Sequence, residues 1–575
     1  MVEKNIDFLN EDIIGDVENV TSSKIIINLI ENEKKGQHSA MIGELIAISS
    51  KQMLEFTIAS ITDIRRTYVS SSDYEDTSQL DDGILNQIEA TFLGSLSTVA
   101  GTKNNVFRRG IKNFPTLGGK VYSFSSYNLT NFMNSISQSS NDLTLRLGRY
   151  AIDSMSQANL NGDSFFQRHA AILGSTGSGK SWLVSKLLEE ASKLMFSNML
   201  VFDMHGEYRP LSTEENGFAK YLKIAGPSDV IVSQNTLFIP YWLLNRDELQ
   251  SILLDRTDND APNQANRFNY HLLELKKESN EANELITVDS PVPFSIKKLI
   301  ERLKDDDEEL VNGTTGKKKK GPWNGKLTRF IARLQSKIED KRYGFMFCPP
   351  VETETMEWAE VFFKKLLETP DCKSGIKIID FSEVPSDVLS VITGTLGRLL
   401  FDIQSWIISE SRTPVSIICD EAHLYLPTHD NISPRERQSV KAFERIAKEG
   451  RKYGLSLVVV SQRPADLNKT ILSQCNNFIV LRLTNGTDQS TVKKLLPDSM
   501  SQLLDQLPLL DIGETVVIGD AVMMPTKIIL DKPKYEPDSN TKRFWQEWNC
   551  NKFNEEILEK AIKNMRAQTF LNEKL

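Results

Sequence analysis

The stretch Gly174-Ser-Thr-Gly-Ser-Gly-Lys180-Ser181 constrains this 575-residue chain more than any other. It follows the apolar run from Ala170 to Leu173. It opens a segment in which Leu183, Leu187, Leu188, Ala191 and Leu194 recur at spacings of three and four. Strand, glycine-rich turn and helix, in that order, form the setting that the pattern G-x-x-x-x-G-K-[ST] requires. The glycines let backbone N–H groups close around a phosphate with no Cβ in the way. The helix N-terminus adds the positive end of its dipole at the same spot. Gly174, Ser175, Thr176, Gly177, Ser178 and Gly179 would then line a phosphate cradle. Lys180 would reach the β- and γ-phosphates of ATP, and the Ser181 hydroxyl would hold Mg²⁺.

Bulk properties remove several alternatives. The net charge is −9, so no global basic field draws the chain onto nucleic acid, although a local basic channel inside an acidic exterior is compatible with that average. The five cysteines are scattered and form no C-x-x-C, which suits a reducing cytosol and argues against a zinc ribbon or a disulfide framework. The six histidines lack metal-ligand spacing. The N-terminus carries no secretory pattern, and no apolar run reaches the roughly 18 residues of a membrane span. The expectation is a soluble, cytoplasmic protein with no membrane partner.

Along the chain the pattern changes several times. Up to about residue 150, short β-rich runs recur: Lys24 to Asn28, Ile42 to Ile48, Leu54 to Ala59 and Val121 to Phe124, with turns at Lys35-Gly36 and Gly118-Gly119. Repeated short strands predict a small barrel or a sandwich. The serine- and aspartate-rich stretch Ser70 to Asp82 reads as a mobile loop. From about 160 the pattern becomes α/β. Residues 243 to 375 read as a mostly helical insertion, with apolar stripes at Phe268, Leu272, Leu275 and at Ile296, Leu299, Leu303. Inside it, the glycine-flanked run Lys317–Lys320 reads as a solvated linker, with phosphate contact as the alternative. Strands resume at Ile376 to Asp380. Thr515 to Ile518 and Thr526 to Leu530 read as a pair near the end. The last segment, Asn554 to Ala567, places Ile557, Leu558, Ala561 and Ile562 on one helical face, to dock on a neighbouring subunit or on its own domain.

Three further segments carry chemistry. The apolar run Asn198 to Asp203 leads into Asp203-Met-His-Gly-Glu207-Tyr208, and acidic groups at the C-terminal end of a parallel strand sit where open α/β sheets bind ligands. Asp203 and Glu207 would face the nucleotide or its water, or belong to a surface turn around Gly206. The run Val415 to Cys419 ends in Asp420-Glu421-Ala-His423, a Walker B pattern in which Asp420 would hold Mg²⁺. Glu421 would act as general base on the attacking water. Ser433-Pro434-Arg435-Glu436 is a capping box with proline at the first helical position, and that helix ends near Gly454. Gln462 stands at the tip of the strand Leu455 to Val460, placed to sense a γ-phosphate or simply to turn the chain before Pro464.

Together, GSTGSGKS at 174–181, FDMHGEY at 202–208, IICDEAH at 417–423 and EGRKYGLSLVVVSQRP at 449–464, behind a strand-rich start, resemble the HerA helicases of the FtsK-HerA group of ring-shaped DNA translocases. The resemblance implies an α/β fold with a RecA-like P-loop NTPase core, an N-terminal β-barrel and a helical insertion. On that reading the barrel takes 1–155, the core 156–242 and 376–535, the insertion 243–375 and a C-terminal tail 536–575. Lys180 and Ser181 match the Walker A pair, Asp420 and Glu421 the Walker B pair, and Gln462 the polar sensor. Arg451 matches the arginine that reaches the next subunit's nucleotide, with Arg463 a weaker candidate. The family often has proline where Met204 stands. The resemblance also implies a homo-hexamer acting on double-stranded DNA beside a nuclease or a sirtuin-like effector, in DNA processing or antiphage defence. Two other readings stay open: an ATP-binding scaffold that activates an effector with little translocation, and a secretion or conjugation ATPase anchored by a membrane partner.

Overall fold

The computed structural model describes residues 6–30, 40–50, 55–69, 83–98, 105–136, 144–213, 217–279, 285–312, 318–369, 375–428, 432–496, 501–539, 544–549 and 554–569. The turn at Lys35-Gly36, the stretch Ser70 to Asp82 and Lys317 lie outside them. The chain divides into two compact units, one of Met1–Glu190, Gln462–Ala465 and Cys475–Pro533, the other of Ala191–Ser461, Asp466–Gln474 and Lys534–Leu575.

In the first unit an antiparallel sheet runs in the order Lys24–Leu29, Ile13–Val20, Lys120–Ser123, Leu45–Ser49, Glu55–Val69, Gly83–Thr98 and Asn105–Arg109. Lys24–Leu29 also pairs with Gly83–Thr98, so the first six strands close on themselves and the seventh lies outside the ring. Of the two architectures the strand pattern allowed, the chain adopts the barrel. Closure leaves the six strands no bare edge. Strand alternation fills the interior: Ile25, Ile27, Ile46, Ile48, Ile61, Ile88 and Val121 point inward and are at most 1% exposed. Each such side chain contributes roughly 1.5–3 kcal/mol of burial.

The same unit carries six strands in the order Ala170–Leu173, Asn477–Val480, Glu514–Gly519, Thr526–Leu530, Leu145–Tyr150 and Gln157–Leu160. The first two are parallel and the rest antiparallel. The hairpin Leu145–Leu160 thus pairs with Thr526–Leu530 and not with the barrel strands before it. Arg109, at the end of the outermost barrel strand, ties barrel to sheet. Its guanidinium donates to the carbonyls of Gly519, Val522 and Met523 and pairs with Asp520 at 3.3 Å, while Arg168 holds the other Asp520 oxygen at 2.5 Å.

In the second unit the sheet order is Thr236–Leu237, Lys220–Ile224, Gly375–Asp380, Asn198–Asp203, Val415–Cys419 and Leu455–Ser461, all parallel. The last four strands are buried along their whole length, which is why they read as continuous apolar runs without alternation. The helix Pro434–Glu449 starts with the expected capping box: Glu436 N–H donates to Ser433 Oγ, and Ser433 N–H donates to the Glu436 carboxylate at 2.7 Å. A single 3₁₀ turn, Gly450–Tyr453, then closes on Gly454 at φ +68°.

Between the second and third motifs lie the helices Arg246–Leu253, Ala261–Glu278, Ile296–Glu308, Thr328–Glu339, Gly344–Phe347 and Met356–Leu367. The stripes Phe268, Leu272, Leu275 and Ile296, Leu299, Leu303 are buried, as their spacing predicts. The lysine run corrects the linker expectation: Lys318–Lys320 is a strand, antiparallel to Leu310–Asn312, although all three lysines are exposed. Polarity reported the exposure, and the hydrogen bonds at the hairpin root supply the order. The helix Glu555–Ala567 buries no residue, and just beyond it Thr569 donates to Glu383 at 2.9 Å. Among the described residues no helix is long and apolar enough to cross a membrane.

Arg109→Ala removes four charge-assisted bonds, each worth at most about 1.5–3 kcal/mol and less on this half-exposed side chain, where solvent screens the charge. It should lower the midpoint of chemical denaturation accordingly, and Arg109→Lys should recover little because a single ammonium cannot reproduce the fork. A wild-type midpoint for Arg109→Ala would show that the tie carries no stability.

Candidate nucleotide site

The first unit supplies a phosphate cradle. Ala170–Leu173 leads through Gly174–Gly179 into the helix Lys180–Ser192. Gly177 and Gly179 adopt φ +71° and +104°, which side-chain-bearing residues rarely accept. The loop is fastened from two directions: Ser175 N–H donates to the Arg482 carbonyl at 2.8 Å, and Gly513 N–H donates to the Ser178 carbonyl at 3.3 Å. Ser178 Oγ is buried with no hydrogen-bond partner among the described residues. Lys180 is 8% exposed and turns back over the loop, its Nζ donating to the Ser175 carbonyl at 3.2 Å. Thr176 Oγ1 donates to Gln462 Oε1. The residue read as a strand-tip sensor is therefore bonded directly to the phosphate loop.

The second unit supplies carboxylates. Three neighbouring parallel strands end on aspartate in one register. Asp203 pairs with Asp380, and Phe202 pairs with Cys419, so Asp420 follows beside Asp203. Burial pushes the Asp420 carboxyl well above the usual carboxylate range, and the charges of Glu421, Asp203 and Glu207 push it the same way. Glu421 takes a left-handed backbone, φ 42°, unusual for a residue with a side chain. Its Oε2 lies 3.2 Å from His423 Nδ1, which is also 3.4 Å from Ser461 Oγ. Strand, turn and histidine together fix the direction of the glutamate.

Asp203 has a different task. One of its oxygens accepts from the N–H groups of His205 (3.3 Å), Gly206 (2.9 Å) and Glu207 (3.1 Å), and the other from Tyr208 (3.0 Å). It shapes the loop that presents Glu207. Burial raises its pKa to about 7 against the pull of those bonds, with the Asp380 charge adding to the rise. Asp380 accepts from the Tyr221 hydroxyl and from Ser382 N–H.

Arg451 stands apart from the acids. It is exposed in the turn Gly450–Tyr453, before the strand Leu455–Ser461, whose far end carries the His423 contact. At about 3.3 Å per residue that strand spans roughly 20 Å. Arg463 is exposed beyond the strand tip. Sequence reading passed over Asp380, His423 and Ser461 as site residues. The signal for Asp380 was present, because three apolar runs all end on aspartate.

A glycine-rich loop between buried strand and helix, and a parallel sheet whose C-terminal edge carries the acids, define a P-loop ATPase. The family model described as the central domain of helicase HerA matches residues 145–400. A probable helicase of Methanocaldococcus jannaschii is 28% identical over 392 residues, 68% of this chain and 67% of that protein. The DNA double-strand break repair helicase HerA of Sulfolobus acidocaldarius is 29% identical over 401 residues, 69% of this chain and 71% of that protein. Among solved structures, VirB4 of Thermoanaerobacter pseudethanolicus aligns with a TM-score of 0.47 at 17% identity, covering 68% of this chain and 96% of that one. Over residues 145–400 the chain is similar to the central domain of the HerA helicases.

A carboxyl whose pKa rises on folding contributes stability below its unfolded value and loses that contribution as pH climbs through its folded value. For Asp203 the window runs from the ordinary aspartate value of 3.8 to about 7. Asp203→Asn loses the Tyr208 acceptor, at about 1–2 kcal/mol, but escapes the ionisation penalty. Without nucleotide and in EDTA, its deficit against wild type should shrink as pH rises from about 4 to 7. A pH-independent deficit in denaturation would show that Asp203 titrates alike in the folded and unfolded states.

Proposed function

We propose that the protein is an ATP-driven translocase or helicase on duplex DNA, working in the cytoplasm as a closed ring, with a hexamer as the expected assembly. The observation that carries this is the position of Arg451. It lies a strand's length from the acidic edge of its own unit, so we read it as acting on the nucleotide of another copy. Duplex DNA as substrate is taken from the Sulfolobus relative, a DNA double-strand break repair helicase. A nuclease or sirtuin-like effector beside the ring, in DNA processing or antiphage defence, extends the same reading.

The residues present fit ATP with Mg²⁺. The positive-φ glycines open backbone N–H groups toward a phosphate, Ser178 Oγ is an unused buried polar atom in the cradle, and Lys180 already turns over the loop. Ser181 and Asp420 would hold Mg²⁺, which neutralises phosphate charge and orients the triphosphate when bound. Glu421 takes the proton of the attacking water. His423 keeps the Glu421 carboxylate pointed. Gln462, through Thr176, links the γ-phosphate position to the loop that holds it. Arg451 acts on the nucleotide of the adjacent copy.

Lys180→Ala should weaken nucleotide binding, and Glu421→Gln should keep binding while slowing hydrolysis by about 10²–10⁴-fold, the usual contribution of a general base. Turnover at the wild-type rate in Glu421→Gln would remove the base assignment. Duplex DNA should stimulate the ATPase. Stimulation by a partner protein alone would instead support the scaffold reading.

Arg451→Ala should cost about 10³–10⁵-fold in rate, as for other arginine fingers. Mixing inactive Arg451→Ala chains with inactive Lys180→Ala chains should restore part of the activity, because some interfaces then carry both intact residues. No recovery in a mixed ring would rule out action between copies.

A further inference from the structure

The lysine hairpin of the helical insertion has no part in the ATP chemistry. Lys318–Lys320 pairs with Leu310–Asn312 in the register Leu310↔Lys320, Val311↔Lys319 and Asn312↔Lys318. All six residues are exposed. Side chains alternate along a strand, so Lys318 and Lys320 share one face about 7 Å apart and Lys319 leaves by the other. The opposing strand offers only Leu310, Val311 and Asn312, so no carboxylate faces the lysines across the pair.

The root of this hairpin is built with care that a solvated linker would not need. Arg267 holds Asp306 through two bonds of 2.6 and 2.7 Å and lies over the Trp323 ring at 5.2 Å. Asp307 accepts from Leu327 N–H at 2.7 Å and from the Thr328 hydroxyl at 2.6 Å. The Glu309 carbonyl accepts from Gly321 N–H at 2.9 Å and from the Asn324 amide at 3.1 Å. Of the acidic run Asp305 to Glu309, Asp306 and Asp307 are thus spent on fastening the root. Asp305, Glu308 and Glu309 stay exposed beside it and bound the positive surface.

One lysine is enough to blunt a strand edge against unwanted pairing. Three in succession repel one another with no counter-charge across the pair, and a polyanion relieves that repulsion. We propose that the hairpin 310–312/318–320 is a contact for the backbone phosphates of duplex DNA. This rests on the reading of duplex DNA as substrate and adds a place where it is held. Lysines act there as point charges, so the contact fixes position and strengthens binding without reading sequence.

The test is binding of the full-length protein to a mixed-sequence duplex across a salt series, for wild type and for the K318E/K319E/K320E and K318A/K319A/K320A variants. Losing three phosphate contacts should lower the slope of log affinity against log salt by about 2.7. The glutamate variant should bind more weakly than the alanine one, and the DNA-free ATPase rate should stay at the wild-type value. Unchanged slope and affinity in both variants would overturn the proposal and leave the DNA reading intact. Wild-type protein that binds no duplex would overturn both. Loss of binding to poly-glutamate with duplex binding retained would assign the hairpin to an acidic protein and overturn the nucleic-acid assignment. A fall in the DNA-free ATPase would also overturn it, because the lysines would then act through the fold.

Discussion

Holding Asp380, Asp203 and Asp420 side by side at the end of three buried parallel strands is the constraint on which the second unit depends. Like charges at that spacing in a dry setting disfavour ionisation. The fold answers each one differently. Asp203 is surrounded by four backbone N–H donors, Asp380 is covered by the Tyr221 hydroxyl, and Asp420 is left with its charge least compensated. The acid with the least help is the one the Walker B pattern assigns to the cation. Asp420 accepts the Glu421 N–H at 3.0 Å, against four such donors for Asp203.

That division of labour also explains what sequence could and could not tell. The cradle was legible because its chemistry is local: glycines at fixed offsets, then lysine and serine, inside eight residues. The buried strands were legible because parallel strands covered on both faces are continuous apolar runs. The capping box and Gly454 were legible because caps depend on residues three or four apart. The role of Asp203 was not, because a carboxylate facing phosphate and one capping its own loop have the same sequence. Asp380 was missed because its importance lies in register with strands far away in the chain. The His423 contact with Ser461 joins residues 38 apart, and no spacing rule covers it.

The barrel shows the same limit from the other side. Alternation announced strands, and alternation cannot say whether six strands close or stack. Closure is decided by Lys24–Leu29 meeting Gly83–Thr98, a pairing of residues more than fifty positions apart. The hairpin Leu145–Leu160 carries the same short-strand signature as the barrel before it, and composition gives no sign that its partner is Thr526–Leu530.

Within the first unit, the strand Glu514–Gly519 joins the barrel tie to the phosphate loop. At its start, Gly513 N–H holds the Ser178 carbonyl through one bond of 3.3 Å. At its end, Gly519 and the turn after it are gripped by the Arg109 guanidinium through three carbonyls and a carboxylate. A single neutral hydrogen bond is worth about 0.5–1.5 kcal/mol net, and each charge-assisted one about 1.5–3. The two attachments are therefore unequal: the strand is held more firmly at the barrel tie than at the phosphate loop, which takes its other fastenings from the Arg482 carbonyl and from Gln462.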